Sequence, residues 1–438
     1  GIPYLVRGLT EEGESGFDRV AATVYRLSIR LAVVLCALML LFSPFSPSIA
    51  AGFTEADRGT VFRYLFLLLP MAVCYLPYHA LGSLFRARRR FQAFYLAELL
   101  VSAAGLLVIA AAPRNPDVIP AAWSASYAIG FLFLFVLAGK AFGKPGKADR
   151  MVSKDFLRTG LRLLPVYGVT YLYIITDRYF ASFLPTGSVS ALSYGLMLAV
   201  LLPGILNMEN VFITPLSEME DRGEILEWIL KGLILLCIPV MAFTLYFALP
   251  IVQAVFERGS FTGASSVMTA TALTYYTVAL PCILLSSILA RVLMIQKRIE
   301  TLLLVSLSGV FLNILLNYLF VFRIGMGIKG IALATSLTNT AAAASLLFLT
   351  HRSSRIAGVR YVSGVLLPSL LAASLGLGAA LLLPETRFEI LTVSVRGIVF
   401  VAVYAAVLKI LPIGELRRIE EMVWSAFFRR QREASPNA

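Results

Sequence analysis

Residues 228–255 read WILKGLILLCIPVMAFTLYFALPIVQAV, a run of 28 with one charged side chain, Lys231. A helix rising 1.5 Å per residue needs about 20 such residues to cross roughly 30 Å of hydrocarbon. This run is long enough with some to spare. Working outward, eleven further stretches of the same kind lie at 24–45, 63–85, 93–112, 118–139, 161–184, 191–216, 267–295, 301–322, 330–350, 361–383 and 392–412. Unpaired backbone groups in lipid cost several kcal/mol each, so helices are the expected form, and no period-2 alternation signals a β-barrel. Twelve crossings are expected, in an all-α polytopic membrane protein.

Bulk composition agrees. Of 438 residues, 59% are apolar and 14% charged, against about 25% charged in an ordinary soluble domain. The formal net charge is +13, but the basic residues sit in short loops between apolar runs. No basic stripe is interleaved with aromatics, so nucleic acid is not an expected partner. One set of alternate loops, which includes 1–23, 86–90 and 140–158, holds 23 Lys and Arg, and the other set holds 6. The basic excess marks the cytoplasmic face, which places both visible ends of the chain there. In the tail, Leu416, Ile419, Val423 and Phe427 recur at helical spacing among five arginines. That pattern predicts an amphipathic helix on the anionic cytoplasmic leaflet.

Charged residues inside the spans are costly, about 2.5–3.5 kcal/mol at the bilayer centre, and mark candidate sites. Arg26 and Arg30 lie one turn apart in the first span. Asp177 and Arg178 are adjacent in the fifth. Glu209 follows Pro203-Gly204 in the sixth, between Asn207 and Asn210, and Arg291 comes late in the eighth. Glu98 reads as an interfacial anchor and His79 as a packed, hydrogen-bonded histidine; Arg396 completes the set. Cys36, Cys74, Cys237 and Cys282 lack CxxC spacing, so neither a metal site nor a disulfide framework is expected. No nucleophile–base pairing and no GxxxxGK[ST] loop is present, so an enzyme is not expected, nor a cofactor. Energy would come from an ion gradient, the membrane potential or removal of product. Prolines at 70, 77, 165, 203, 239, 281 and 368 break many spans, as suits a transporter whose freed carbonyls line a cavity.

Three segments carry a family resemblance. Phe256-Glu-Arg-Gly259-Ser-Phe261-Thr with Thr269–Tyr276 and Ala279-Leu-Pro281 resembles an external loop and following helix of the lipid II flippases, the MurJ/MviN family. Asp177-Arg178-Tyr-Phe-Ala181-Ser182 through Gly187-Ser188 and Tyr194-Gly is similar to that family's seventh-to-eighth helix junction. Asn313-Ile-Leu-Leu-Asn317 through Gly330-Ile-Ala332-Leu-Ala-Thr335-Ser336 resembles a junction of the wider multidrug/oligosaccharidyl-lipid/polysaccharide exporter superfamily. Arg90-Phe91 before Ala93 matches the family's basic loop between its fourth and fifth helices.

The resemblance implies fourteen helices in two lobes, of which the twelve here would be the third to the fourteenth. Gly1-Ile-Pro3-Tyr-Leu looks like the end of the second. On this reading 1–150 is an amino-terminal lobe and 151–355 a carboxy-terminal lobe. Residues 356–414 are two added helices forming a lipid-tail groove, and 415–438 is the cytoplasmic tail. The implied function is a flippase of the bacterial inner membrane that moves polyprenyl-diphosphate-linked peptidoglycan precursor (lipid II) outward by alternating access. Arg26, Arg30, Asp177, Arg178, Glu209 and Arg291 are then the expected substrate-binding residues, since guanidinium forks suit diphosphate. Expected partners are the lipid-linked oligosaccharide, membrane lipids, a coupling ion and cell-wall synthesis enzymes. The family's usual Arg and acidic residue in its eighth helix correspond here to Met197 and Val200. An exporter of another polyprenyl-linked oligosaccharide and a non-transporting cell-wall scaffold are the alternatives.

Overall fold

The computed structural model describes residues 2–45, 55–142, 149–205, 222–296, 298–351, 359–386 and 388–411. Thirteen α-helices and no strand are found among them. They are α1 (Ile2–Phe42), α2 (Glu55–Ala87), α3 (Phe91–Ala111), α4 (Val118–Phe142), α5 (Arg150–Ala181), α6 (Ser188–Ile205) and α7 (Arg222–Phe256). After these come α8 (Gly263–Val278), α9 (Leu280–Ile295), α10 (Ile299–Tyr318), α11 (Ile328–His351), α12 (Val359–Leu381) and α13 (Glu389–Ile410). Among the described residues, nine helical segments are long and apolar enough to cross a membrane. α8 and α9, joined at a bend of 54°, are together apolar and long enough for one more. The bend falls where Pro281 opens α9 without an N–H to give. The predicted sixth stretch, 191–216, is described only as far as residue 205, and the amphipathic tail 415–432 lies outside the described residues.

The chain divides into two compact units, Gly1–Pro165 and Val166–Ala438, with the divide inside α5 at Pro165. In the first unit α1 turns on itself at Gly13, whose φ of 68° and ψ of −148° interrupt the helix. Leu5 on one side of that turn and Phe17, Val20 and Val24 on the other are buried against Ala80, Leu84 and Ala87 of α2. Polar pairs tie the same end to the start of α5. The Tyr4 hydroxyl donates to Asp155 at 2.9 Å, and the Asp149 N–H donates to Thr23 Oγ1 at 2.7 Å. A second core, Tyr78, Leu81, Phe85, Ala97 and Leu134, joins α2, α3 and α4.

Pro70 disturbs α2 within that unit. The Met71 N–H donates at 3.3 Å to Ser124 Oγ of α4, and that hydroxyl donates in turn to the Leu67 carbonyl. The serine has thus entered the i to i−4 ladder of its neighbour, a recognised cause of helix bending.

The second unit is built on α7. Its N-terminal half packs against α9 and its C-terminal half against α8, and α12 and α13 cover its other side. α7 bends at Phe247, where Pro250 removes a ladder bond one turn on. The Tyr404 hydroxyl of α13 donates to the Leu235 carbonyl at 2.7 Å, sealing this side. Outward faces are strongly apolar in both units: Leu107 and Phe311 are each 71% exposed, and Ile398 is 69% exposed. Surfaces of that kind are what a lipid solvent calls for.

The inserted hydroxyl gives a direct test. Ser124→Ala leaves the Leu67 carbonyl and Met71 N–H without their bridge at a cost of about 1–3 kcal/mol. The thermal midpoint of the detergent-solubilised protein is expected to fall by several degrees. Ser102→Ala, whose exposed hydroxyl bonds only the Glu98 carbonyl of its own helix, is expected to leave it unchanged.

Candidate functional site: a buried carboxylate among helix amides

The sequence of α5 puts Tyr173, Asp177, Phe180 and Ala181 on one face, at spacings of four, three and one. That face meets α10 and α11. Tyr173 enters first: its hydroxyl donates to the Ser306 carbonyl at 3.2 Å, over Gly309. A Cβ at position 309 would stand 1.9 Å from that hydroxyl, so only glycine admits it.

One turn on, the Asp177 carboxylate is clasped from two helices. Its Oδ1 accepts from Asn317 Nδ2 of α10 at 2.9 Å, and its Oδ2 accepts from Thr335 Oγ1 of α11 at 2.7 Å. Asn317 Nδ2 also donates to Asn313 Oδ1 at 3.1 Å. Both asparagines are 0% exposed, and Tyr276 of α8, 2% exposed, closes the site. Asn317 Oδ1 and Asn313 Nδ2 are buried with no hydrogen-bond partner among the described residues. Beyond Asn317 the helix widens into a π turn, Leu319–Arg323, a form frequent at functional sites. Phe322 from that turn packs on Phe180 and Phe183 at 5.7 and 5.3 Å, capping the cluster.

The oxygens gathered here belong to a carboxylate, two carboxamides and a hydroxyl, with one formal negative charge. Oxygen sets suit hard cations, and a single charge suits a monovalent one. Soft metals want thiolate or imidazole. No group of three His, Cys, Asp or Glu is found among the described residues.

Asp177 also forms part of the wall of a cavity of about 290 Å³ lined by α5, α6 and α8. Arg178 stands exposed at the same cavity, and Leu192, Met197, Val200 and Tyr276 are among its apolar lining residues. The structure therefore brings Asp177 and Arg178 to one place. Arg26 and Arg30 are exposed and four residues apart on α1 in the first unit. Arg291 is half-buried on α9 and is not among the cavity's lining residues. Glu209 lies outside the described residues.

Sequence reasoning did not assign roles to Asn313, Asn317 and Thr335, although a signal was present. Two carboxamides four residues apart in an apolar helix are costly to leave facing lipid, so they imply a polar partner.

The clasp is tested by a double-mutant cycle. Asn317→Leu keeps the volume but removes one donor from a buried carboxylate, at a cost of about 1–3 kcal/mol. A lower thermal midpoint is expected, with most of the loss recovered in Asp177→Leu/Asn317→Leu. Leu304→Ala, at a position 68% exposed on α10, is expected to be silent.

Comparison with known proteins places this architecture. A family model described as "MurJ: Lipid II flippase MurJ" matches residues 2–400. A probable lipid II flippase MurJ of Synechocystis sp. is 30% identical over 202 residues, 44% of this chain and 37% of that protein. Another from Aquifex aeolicus is 26% identical over 194 residues, 44% of this chain and 39% of that protein. The matched stretches thus span well under half the length of these relatives. Among solved structures, a lipid II flippase MurJ in an inward closed conformation superposes with a TM-score of 0.73 at 19% identity, covering 98% of this chain and 88% of that one. An inward-facing multidrug resistance MATE family transporter of the MOP superfamily gives 0.63 at 18% identity, covering 80% and 84%. These two likenesses concern the fold. With the family model matched along nearly its whole length, the chain belongs to the lipid II flippase MurJ family.

Proposed function

We propose that this protein carries lipid II, the polyprenyl-diphosphate-linked peptidoglycan precursor, from the cytoplasmic to the outer leaflet of the bacterial inner membrane by alternating access. The observation that carries this reading is the family match over residues 2–400. The excess of basic residues in one set of loops, 23 against 6, supports a cytoplasmic location for both visible ends. Arg26, Arg30, Arg178 and Arg291 are the cationic groups offered to the diphosphate. The lipid tail stays in the bilayer while the headgroup crosses.

A coupling cation fits the same scheme. The oxygens around Asp177 come from α5, α10 and α11, so an ion held there would draw three helices together. Its binding energy would then favour the conformation in which those helices are closed. The apolar side chains of Met197 and Val200 at the cavity beside Arg178 favour a second reading, in which the cargo is another polyprenyl-linked oligosaccharide.

Depletion of the protein in its host, with lipid-linked intermediates quantified by mass spectrometry, tests the cargo. Lipid II is expected to accumulate and to return to its basal level on complementation. Complementation by Arg26→Gln/Arg30→Gln is expected to fall at least tenfold in lipid II turnover. Accumulation of a different lipid-linked glycan would move the assignment to the second reading. An unchanged profile would leave a cell-wall scaffold as the better account.

For the ion, sodium is expected to raise the thermal midpoint of the purified wild-type protein over an equal concentration of choline. Asp177→Asn is expected to abolish the difference; a shift of equal size in that variant would remove the cation from the scheme.

A further inference from the structure

The cavity of about 290 Å³ in the second unit carries a positive charge near one end and hydrocarbon along most of its length. α6 lines it with Val189, Leu192, Leu196 and Val200, at intervals of three and four residues, which is one face of a helix. Gly195 lets α6 lie close on α8, for a Cβ there would stand 2.8 Å from Ala272 Cβ. Tyr276 of α8 and Ile174 of α5 line the cavity from their own helices. Met197 and Val200 remain 46% and 36% exposed within it, apolar side chains with room beside them.

The polar groups at this cavity are few, and all but one are engaged. The Ser193 hydroxyl donates to the Val189 carbonyl of its own helix at 2.8 Å. The Asp177 carboxylate accepts from Asn317 and Thr335. The Arg178 guanidinium has no hydrogen-bond or ion-pair partner among the described residues. It stands three residues from Ala181, where α5 ends, and so lies beside the turn into α6. Val200 stands twelve residues beyond Ser188, the start of α6, about 18 Å along that helix. The charge therefore marks one end of the cavity, and its far end is apolar.

A guanidinium fork suits a diphosphate, and an aliphatic cleft suits a hydrocarbon chain attached to it. At about 30 Å³ for each water-sized group, the cavity holds about ten such groups, which matches the carbons of two isoprene units. We propose that this cavity binds the head-proximal end of an isoprenoid diphosphate, with the diphosphate on Arg178 and the first two isoprene units lying along α6 as far as Val200. The inference rests on the proposed function for the class of cargo, but not for its sugar, because lipid II and the alternative oligosaccharide share this end of the molecule. Met197 and Val200 then select the carrier lipid, whichever glycan it bears. A charged pair at these two positions would repel the chain.

Photolabelling of the purified full chain in phosphatidylcholine nanodiscs tests the site. The probe is geranyl diphosphate carrying a diazirine on its terminal isoprene unit, and the labelled residues are mapped by mass spectrometry. Label is expected within residues 189–200. Unlabelled geranyl diphosphate is expected to compete about tenfold better than inorganic pyrophosphate or the straight-chain decyl diphosphate. Val200→Trp fills the far end and Arg178→Gln removes the charge, and each is expected to cut labelling by about tenfold. Met197→Trp serves the same end should Val200→Trp fail to fold, and Leu304→Ala is expected to label as the wild type does. Label outside 189–200, or label indifferent to the tryptophan substitutions, overturns the proposal. Equal competition by decyl diphosphate also overturns it and gives the cavity to an unbranched lipid. Accumulation of lipid II on depletion, with label that misses the cavity, sinks this inference and spares the flippase reading. Label in the cavity with an unchanged lipid profile does the reverse.

Discussion

Hydrocarbon hydrogen-bonds to nothing, and this constraint shapes every polar feature of the chain. A bilayer-facing helix can satisfy its own backbone, yet it cannot satisfy a carboxylate, a carboxamide or a carbonyl freed by proline. Each of these must find a partner on another helix. Ser124 answers the break at Pro70, Tyr404 caps the Leu235 carbonyl, and Asn317 with Thr335 answers Asp177. The apolar surface of both units faces a solvent as apolar as itself, so the hydrophobic effect gives little reason for one helix to prefer another. Close packing and a few buried polar pairs decide which helices meet.

That division explains what the sequence disclosed. Helix positions were legible because hydropathy reports them directly: the stretches at 63–85, 118–139 and 330–350 fall within helices α2, α4 and α11. Prolines marked bends, and the break between α8 and α9 sits at Pro281 as the pattern implied. Gly13 gave no comparable warning. A glycine at positive φ looks like any other glycine until its neighbours are placed.

The site was legible in part. Asp177 and Arg178 stood out as charges in an apolar run, and they line one cavity. The partners of Asp177 lie 140 and 158 residues away, a separation across which periodicity says nothing. Glu98 was read as an anchor because it was judged alone; it accepts from Tyr78, whose hydroxyl crosses from α2 to α3. Pairing between helices is what a single sequence conceals most effectively.

The π turn at Leu319–Arg323 has a bearing on heredity as well as on geometry. It carries one residue more than the α-helix around it would require. Losing any one of those five would restore a regular helix and swing what lies beyond by about 100° relative to what lies before. Asn317 would then stay with Asp177 while Phe322 left Phe180, or the reverse. The stretch is consequently a place where a conservative substitution is easier to absorb than a change of length, so among descendants of this sequence its residue count should outlast its residue identities.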